Sequence, residues 1–351
     1  MISVYYAYNK QVALFGYTKR NEGLFSILYY LSVMLLSSFV SPKYKKYIVN
    51  AILLCGTFQA FYAIFQKYEL FGVKVYRHTY KHFDQNLNKV IKNTIIYALG
   101  CTTNPNVFGA YMMFCLSYSL GLFIDSKKIV LKVLYGLACA LFMFGMMISN
   151  CSASAVGLAF VGLYIFIYCI KNKYFKQLLI IALILVLMVI LAVKLHKTNL
   201  VRDIKIIANQ TSEITKGNVD DNFGTNRFYL WKKTLKVIPK YWIHGIGIDN
   251  FYYAFDGKPL IYDNQKYDKA HNEYLQTLVT QGAFATVSYL ALYGYVVFYG
   301  IKNSFKNKEI YLILPIIGYL IQAFFSISVI ELAPLFYISL GLCGNRNVES
   351  E

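Results

Sequence analysis

The chain has 351 residues, of which 57% are hydrophobic and 15% charged, with a mean hydropathy of +0.45. That is more apolar surface than a soluble domain can cover, so lipid is the expected solvent. The formal charge of +18 would suit a nucleic-acid partner, but the basic residues sit in loops between apolar stretches rather than along one soluble helix. Membrane topology accounts for them and nucleic acid does not.

In chain order, Met1–Gly23 is polar and Tyr-rich and lacks the charged, apolar and small-residue order of a cleavable signal peptide. About nine apolar stretches of spanning or nearly spanning length follow. They run Leu24 to Val40, Tyr47 to Gln66, Val107 to Ile124, Ile129 to Ile148, Ser152 to Ile170, Leu178 to Leu195, Tyr274 to Gly300, Ile310 to Ser328 and Val329 to Cys343. The last is the shortest and carries Glu331 and Pro334. A bilayer core offers backbone groups no water, and the short alternating segments of an outer-membrane barrel are absent. The expected fold is therefore all-α, a polytopic transmembrane bundle of about nine spans with one long extracytoplasmic loop containing short helices. Its expected divisions are N-terminal transmembrane helices over 1–195, the loop over 196–271 and C-terminal transmembrane helices over 272–351.

Short loops on one side hold Lys43, Lys45 and Lys46, then Lys127 and Lys128, then Lys171, Lys173 and Lys176, then Lys302, Lys306 and Lys308. The tight turns on the other side, Ser149 to Cys151 and around Ile327, carry no basic residue. Short-loop lysines set orientation, so the lysine-rich side is read as cytoplasmic, and Lys67–Asn93 and His196–Ala270 as outward-facing. On this count the N-terminus begins outside, and an odd number of further spans ahead of Met1 is expected. The seven cysteines sit in or at the edges of apolar spans with no C-x-x-C pair, as small core-fillers do.

Arginine is scarce, at positions 20, 77, 202, 227 and 346. Arg227 opens an amphipathic stretch to Ile238 with Phe228, Trp231, Leu235 and Ile238 on one helical face, after Gly224-Thr225-Asn226 as cap residues. Such a helix suits an interfacial position on the membrane. Free N–H groups at its start and a forked guanidinium suit an anion clamp, although from local sequence alone a solvated arginine is the plainer reading. His271, in Ala270-His271-Asn272-Glu273-Tyr274, stands where the long loop re-enters the membrane. An imidazole there can exchange a proton near neutral pH, or serve no chemical task at all. His78 and His82 have the spacing of a metal pair on a helix, but a third ligand beyond Asp84 is lacking and a solvated loop is the plainer reading. Gly245-x-Gly247 lacks the strand and third glycine of a dinucleotide site and reads as a turn, with Asp249 and Asn250 making local hydrogen bonds. Among the spans, Gln59, Gln66 and Gln322 are polar, and Glu331 is either a functional intramembrane carboxylate or part of an outer turn.

Gly224–Lys232, His244–Phe251 and Ala270–Gln276 with Gly282 beyond, taken in order, resemble the outer loop of the O-antigen ligase and Wzy-type polymerase family. Arg20–Leu24 and Thr103–Gly109 resemble further segments of it, so the likeness runs from Gly16 onward. The resemblance implies an all-helical glycosyltransferase of the bacterial cytoplasmic (inner) membrane. It would take a glycan from undecaprenyl diphosphate on the outer face and pass it to a glycan, lipid or protein acceptor, using neither nucleotide sugar, cofactor nor catalytic metal. It implies that Arg227 engages the diphosphate and that His271 is needed for transfer. Asn104, Asn106, Asn250 and Asn272 fall in the matching segments and are expected to bind substrate. Many relatives carry an arginine in a Ser-Arg-Ser-like turn where this chain has Ser152-Ala153-Ser154, which leaves Arg20 or Arg77 to supply the second cation. Repeat-unit polymerisation is the expected reaction and ligation the alternative. A transporter or flippase, the alternative from another class, would place charge near the midplane of its spans, which are nearly free of it.

Overall fold

The structure, a computed structural model, describes residues 2–18, 20–84, 89–196, 226–262 and 265–344. Two short helices, α1 (Ile2–Tyr5) and α2 (Lys10–Phe15), precede α3 (Leu24–Ser38) and α4 (Pro42–Tyr68). A hairpin of β1 (Tyr76–Asp84) and β2 (Lys89–Tyr97) leads to α5 (Pro105–Asp125), α6 (Ile129–Ser149), α7 (Ser152–Lys171) and α8 (Phe175–His196). Then come α9 (Arg227–Tyr241), the small hairpin β3 (Leu260–Tyr262) and β4 (Gln265–Tyr267), and α10 (Glu273–Gln281). The described chain ends with α11 (Ala283–Lys306), α12 (Ile310–Gln322) and α13 (Ala333–Gly344). The all-α expectation holds. Six of these helices, α4 to α8 and α11, are long and apolar enough to cross a membrane, and α3, α12 and α13 are shorter apolar helices.

The chain forms two compact units, one of Met1–Lys45 with Asn199–Glu351 and the other of Lys46–Thr198. In the second, α5 is buried along nearly its whole length, so an apolar helix of 21 residues is sheathed by protein rather than by lipid. Asn104 caps it by accepting from the Asn106 amide at 2.8 Å, and Pro105 fills the first turn, where an amide would lack a partner anyway. Asn150 in the left-handed region closes α6 and lets α7 start two residues later. The outward loop expected over Lys67–Asn93 instead contains the β1–β2 hairpin, paired from Tyr76↔Tyr97 to Asp84↔Lys89. Its β-branched and aromatic residues are interrupted every one to three positions by polar ones, so a search for long apolar runs passes over it. His78 and His82 lie on that strand, not on a helix. The in-span glutamines fasten the chain just after the hairpin. The Leu99 and Cys101 amides donate to Gln66 Oε1 and Gln59 Oε1 at 3.0 and 2.6 Å, and Gln66 Nε2 donates to the Gly100 carbonyl.

In the first unit, the apolar run expected from Tyr274 to Gly300 is two helices. Gly282 stands at φ +86, ends α10 and opens α11, and a β-carbon there would sit 2.3 Å from the Ile243 carbonyl oxygen. The preceding turn is polar on one side, through Glu273, Gln276, Thr277 and Thr280, so the membrane-length helix is α11 alone. Its 24 residues reach about 36 Å, enough for a bilayer core. Glu331 lies in the turn between α12 and α13. Five of the seven cysteines are buried as expected, while Cys55 and Cys101 are exposed.

Candidate functional site

The loop before α11 builds a core of its own. Leu230, Ile246, Phe251, Ala254, Leu260, Tyr267, Ala270 and Val279 pack together, with Tyr229, Ile238 and Tyr241 against them. This core selects the buried stripe of α9. Leu230 and Thr234 are fully buried, whereas Leu235, on the apolar face read as resting on the membrane, is 53% exposed. Two apolar stripes compete on this helix, and the one that meets the β3–β4 hairpin and α10 wins. Asn226 holds the N-cap position without a side-chain cap bond; its amide donates instead to Tyr267 Oη at 3.1 Å. The other expected cap residues, Gly224 and Thr225, lie outside the described residues.

That bond ties the start of α9 to the strand before His271. The Tyr267 ring meets the His271 ring edge-on, with centroids 6.4 Å apart. Arg20, at the far end of the sequence, pairs with Asp268 at 3.2 Å, both groups being about one-third exposed. His271 itself stands at φ +48, between the Ala270 amide, which donates to Gln276 Oε1 at 2.8 Å, and Asn272, whose Oδ1 caps α10 by accepting from Tyr274 and Leu275 at 3.1 Å. Burial first, then the Arg227 and Arg20 guanidinium groups and more weakly Lys269, push the imidazole down to about 4, against the opposing pull of Asp268. A neutral imidazole thus sits among three cationic side chains, of which Arg20 is paired with Asp268 and Lys269 with Asp249.

Of the residues expected to bind or react, Arg20, Arg227, Asn250, Asn272 and His271 belong to the first unit. Arg77, Asn104 and Asn106 belong to the second, where Arg77 pairs with Glu69 at 2.6 Å on an exposed surface. Asn250 does not make local bonds only. Its side chain accepts from the Asn9 amide at 2.9 Å, donates to the Asn9 carbonyl at 3.2 Å and to the Ile248 carbonyl at 2.8 Å. Beside it Asp249 accepts from the Tyr17 amide at 2.6 Å and forms a buried ion pair with Lys269. The polar N-terminal segment is therefore stitched onto the loop core.

Beneath this layer lies a cavity of about 70 Å³ lined in part by Glu22, Lys269, Glu273, Tyr30 and Ser328. Glu22 accepts from Tyr30 and Ser328 hydroxyls at 3.2 and 3.0 Å, and Glu273 from Tyr319 at 3.1 Å. Burial raises both carboxyls, Glu273 to about 7; for Glu22 the Lys269 ammonium partly offsets it. Neither carboxyl, nor Asp249, Asp268 or Lys269, is marked out by spacing alone. The available signal was their company, since Glu22 follows Arg20 closely and Asp268, Lys269 and Glu273 flank His271. Among the described residues no group of three or more His, Cys, Asp or Glu could hold a metal ion.

No curated protein and no solved structure matches the chain. Residues 137–290 match the family model described as O-antigen ligase. The matched stretch contains Arg227 and His271 and leaves out Arg20. Over this stretch, a little under half of the chain, the sequence is similar to the O-antigen ligase family, and it lies in a chain whose apolar helices are those of a membrane protein.

Proposed function

We propose that the chain transfers a glycan from undecaprenyl diphosphate to an acceptor hydroxyl at the outer face of the bacterial cytoplasmic membrane, with another carrier-linked repeat as acceptor, so that a surface polysaccharide of O-antigen or capsule type is polymerised. The observation that carries this reading is that Tyr267, in contact with His271 and bonded to Asn226, brings the imidazole to the start of the helix that Arg227 opens, with Arg20 held on neighbouring Asp268 and both guanidinium groups depressing the imidazole. A diphosphate reaching both arginines would form bidentate, charge-assisted hydrogen bonds, at Arg20 in exchange for or beside the bond to Asp268.

The proposed chemistry is one displacement. The acceptor oxygen bonds to the anomeric carbon, the bond from that carbon to the diphosphate breaks, and the diphosphate leaves with the electron pair. The acceptor proton passes to His271. An imidazole held near 4 is a weak base, but a bound diphosphate masks the cations that depress it, so the base gains strength once the donor is seated. Arg227 and Arg20 stabilise the charge on the leaving group, and fixed geometry supplies much of the rest.

Activity lost in normally inserted His271→Ala and Arg227→Ala variants is the expected result, and wild-type transfer by both would sink the assignment. The family description favours a second reading, ligation of a finished chain to a lipid or protein acceptor. Deletion distinguishes the two: a ladder of chain lengths collapsing to one repeat marks a polymerase, and full-length chains left unattached mark a ligase.

A further inference from the structure

Four tyrosines form a continuous row leading away from this site. Tyr17 stacks on Tyr252 with centroids 5.9 Å apart, Tyr252 meets Tyr253 edge-on at 5.2 Å, and Tyr253 stacks on Tyr8 at 4.8 Å. The row starts beside the candidate chemistry. The Arg20 amide donates to the Tyr17 carbonyl at 2.7 Å, and the Tyr17 backbone amide donates to Asp249, the partner of Lys269. It ends in the open, where Tyr8 is 63% exposed. The rings come from segments more than two hundred residues apart in sequence, and their backbones are pinned independently. The Tyr8 amide donates to the Ile246 carbonyl at 3.0 Å, and Asn9 bonds Asn250. The row thus grades from half-buried rings, of which Tyr253 packs on the loop core, to the exposed ring of Tyr8, and its outer edge is open to solvent.

We propose that this row is a binding track for the saccharide chain of the acceptor, an inference that rests on the glycan-transfer reading above. The C–H faces of a pyranose ring are apolar and its edge is hydroxylated. A tyrosine offers the matching pair, a flat apolar face and a phenolic hydroxyl at its rim. Ring-to-ring steps of this size are comparable with the length of one sugar residue. A lipid tail would be better served by aliphatic side chains, and a charged partner by lysines or carboxylates. The row instead joins phenols to phenols, which suits a polymer of uncharged or sparsely charged sugars passing out of the site. Rigid aromatic side chains also lose little conformational freedom when a flexible chain settles on them.

The test uses the full-length protein in lipid nanodiscs and, as probe, carrier-free oligosaccharides of several repeats released from the host's own surface glycan. Binding is expected to weaken by about five- to tenfold for Tyr8→Ala and again for Tyr253→Ala, and to stay within about twofold for Tyr8→Phe and Tyr253→Phe, which keep the stacking face. His271→Ala is expected to bind the probe as tightly as wild type while losing transfer. Unchanged binding in both alanine variants overturns the track, as does a phenylalanine variant as weak as alanine. Transfer by His271→Ala at wild-type rate would instead remove the parent reading and leave the binding data to stand or fall alone.

Discussion

An imidazole held near 4 is almost wholly neutral where a free histidine is not. At pH 6 about 1% of His271 should carry a proton, against about three-quarters of an unperturbed imidazole. The perturbation to apply is inorganic pyrophosphate, the smallest probe with the charge of the proposed leaving group. Burial contributes first to the depression and remains, but the next contributions come from Arg227 and Arg20, and these are what an anion between the guanidinium groups would mask. The midpoint should therefore rise on adding pyrophosphate. Each tenfold gain in proton affinity corresponds to about 1.4 kcal/mol, and reciprocity requires pyrophosphate to bind correspondingly tighter as the pH falls through the new midpoint.

The assay is a histidine NMR titration of the purified protein, with the His271 signal assigned by its loss in His271→Asn. Arg227→Gln should raise the pyrophosphate-free midpoint and blunt the response to the anion. A midpoint near 6.5 without pyrophosphate, or one that pyrophosphate leaves unmoved, refutes the idea that the arginines and the histidine share one anion site.

Further predictions concern the scaffold around His271. Glu273, raised to about 7, holds its proton more tightly folded than unfolded, so its contribution is fully present below about pH 4.5 and is lost as the pH rises through 7. Glu273→Gln should flatten that part of the stability profile in thermal melts at stepped pH, while leaving the Tyr319 contact in place. Asn272→Ala removes the cap of α10 and should cost about 1 kcal/mol in the melt, with Asn272→Asp retaining most of it. Breaking the buried Asp249–Lys269 pair by Lys269→Met alone should cost about 3–5 kcal/mol, and the double change with Asp249→Asn distinctly less, because no charge is then left uncompensated. Gly282→Val should fail to accumulate in the membrane, since the β-carbon meets the Ile243 carbonyl and a backbone at φ +86 and ψ 175, essentially confined to glycine, adds about 1–3 kcal/mol; wild-type yield would contradict the break between α10 and α11.

Much of the membrane architecture is legible because lipid imposes a one-dimensional rule on sequence. Runs such as Ile129–Ile148 and Ser152–Ile170 coincide with α6 and α7 to within a residue or so. Where that rule stops, legibility falls. The run from Tyr274 reads as one span because it passes without a charge into the apolar helix beyond, and its polar face of Gln276, Thr277 and Thr280 and the positive φ of Gly282 divide it. Arg227 and His271 stand out because one type is rare in this chain and the other marks the end of a loop. Asn250 reads locally as a turn residue, and its bonds to Asn9 could not be seen, because nothing in a single sequence says which distant backbone a buried amide will serve.

The N-terminal segment carries the same lesson into function. Its polar, aromatic sequence offers no span and no chemical motif apart from Arg20, yet its backbone is held by Ile246, Asp249 and Asn250. Those anchors deliver Arg20 to Asp268 and the field of Arg20 to His271. The family match at 137–290 covers the loop arginine and the histidine but not this third cationic element. A chain cut after Phe15 should therefore retain Arg227 and His271 and still lose the Asn9–Asn250 clamp. If charge balance around the imidazole governs transfer, that cut should weaken pyrophosphate binding in the same direction as Arg20→Gln, through lost positioning rather than a lost charge.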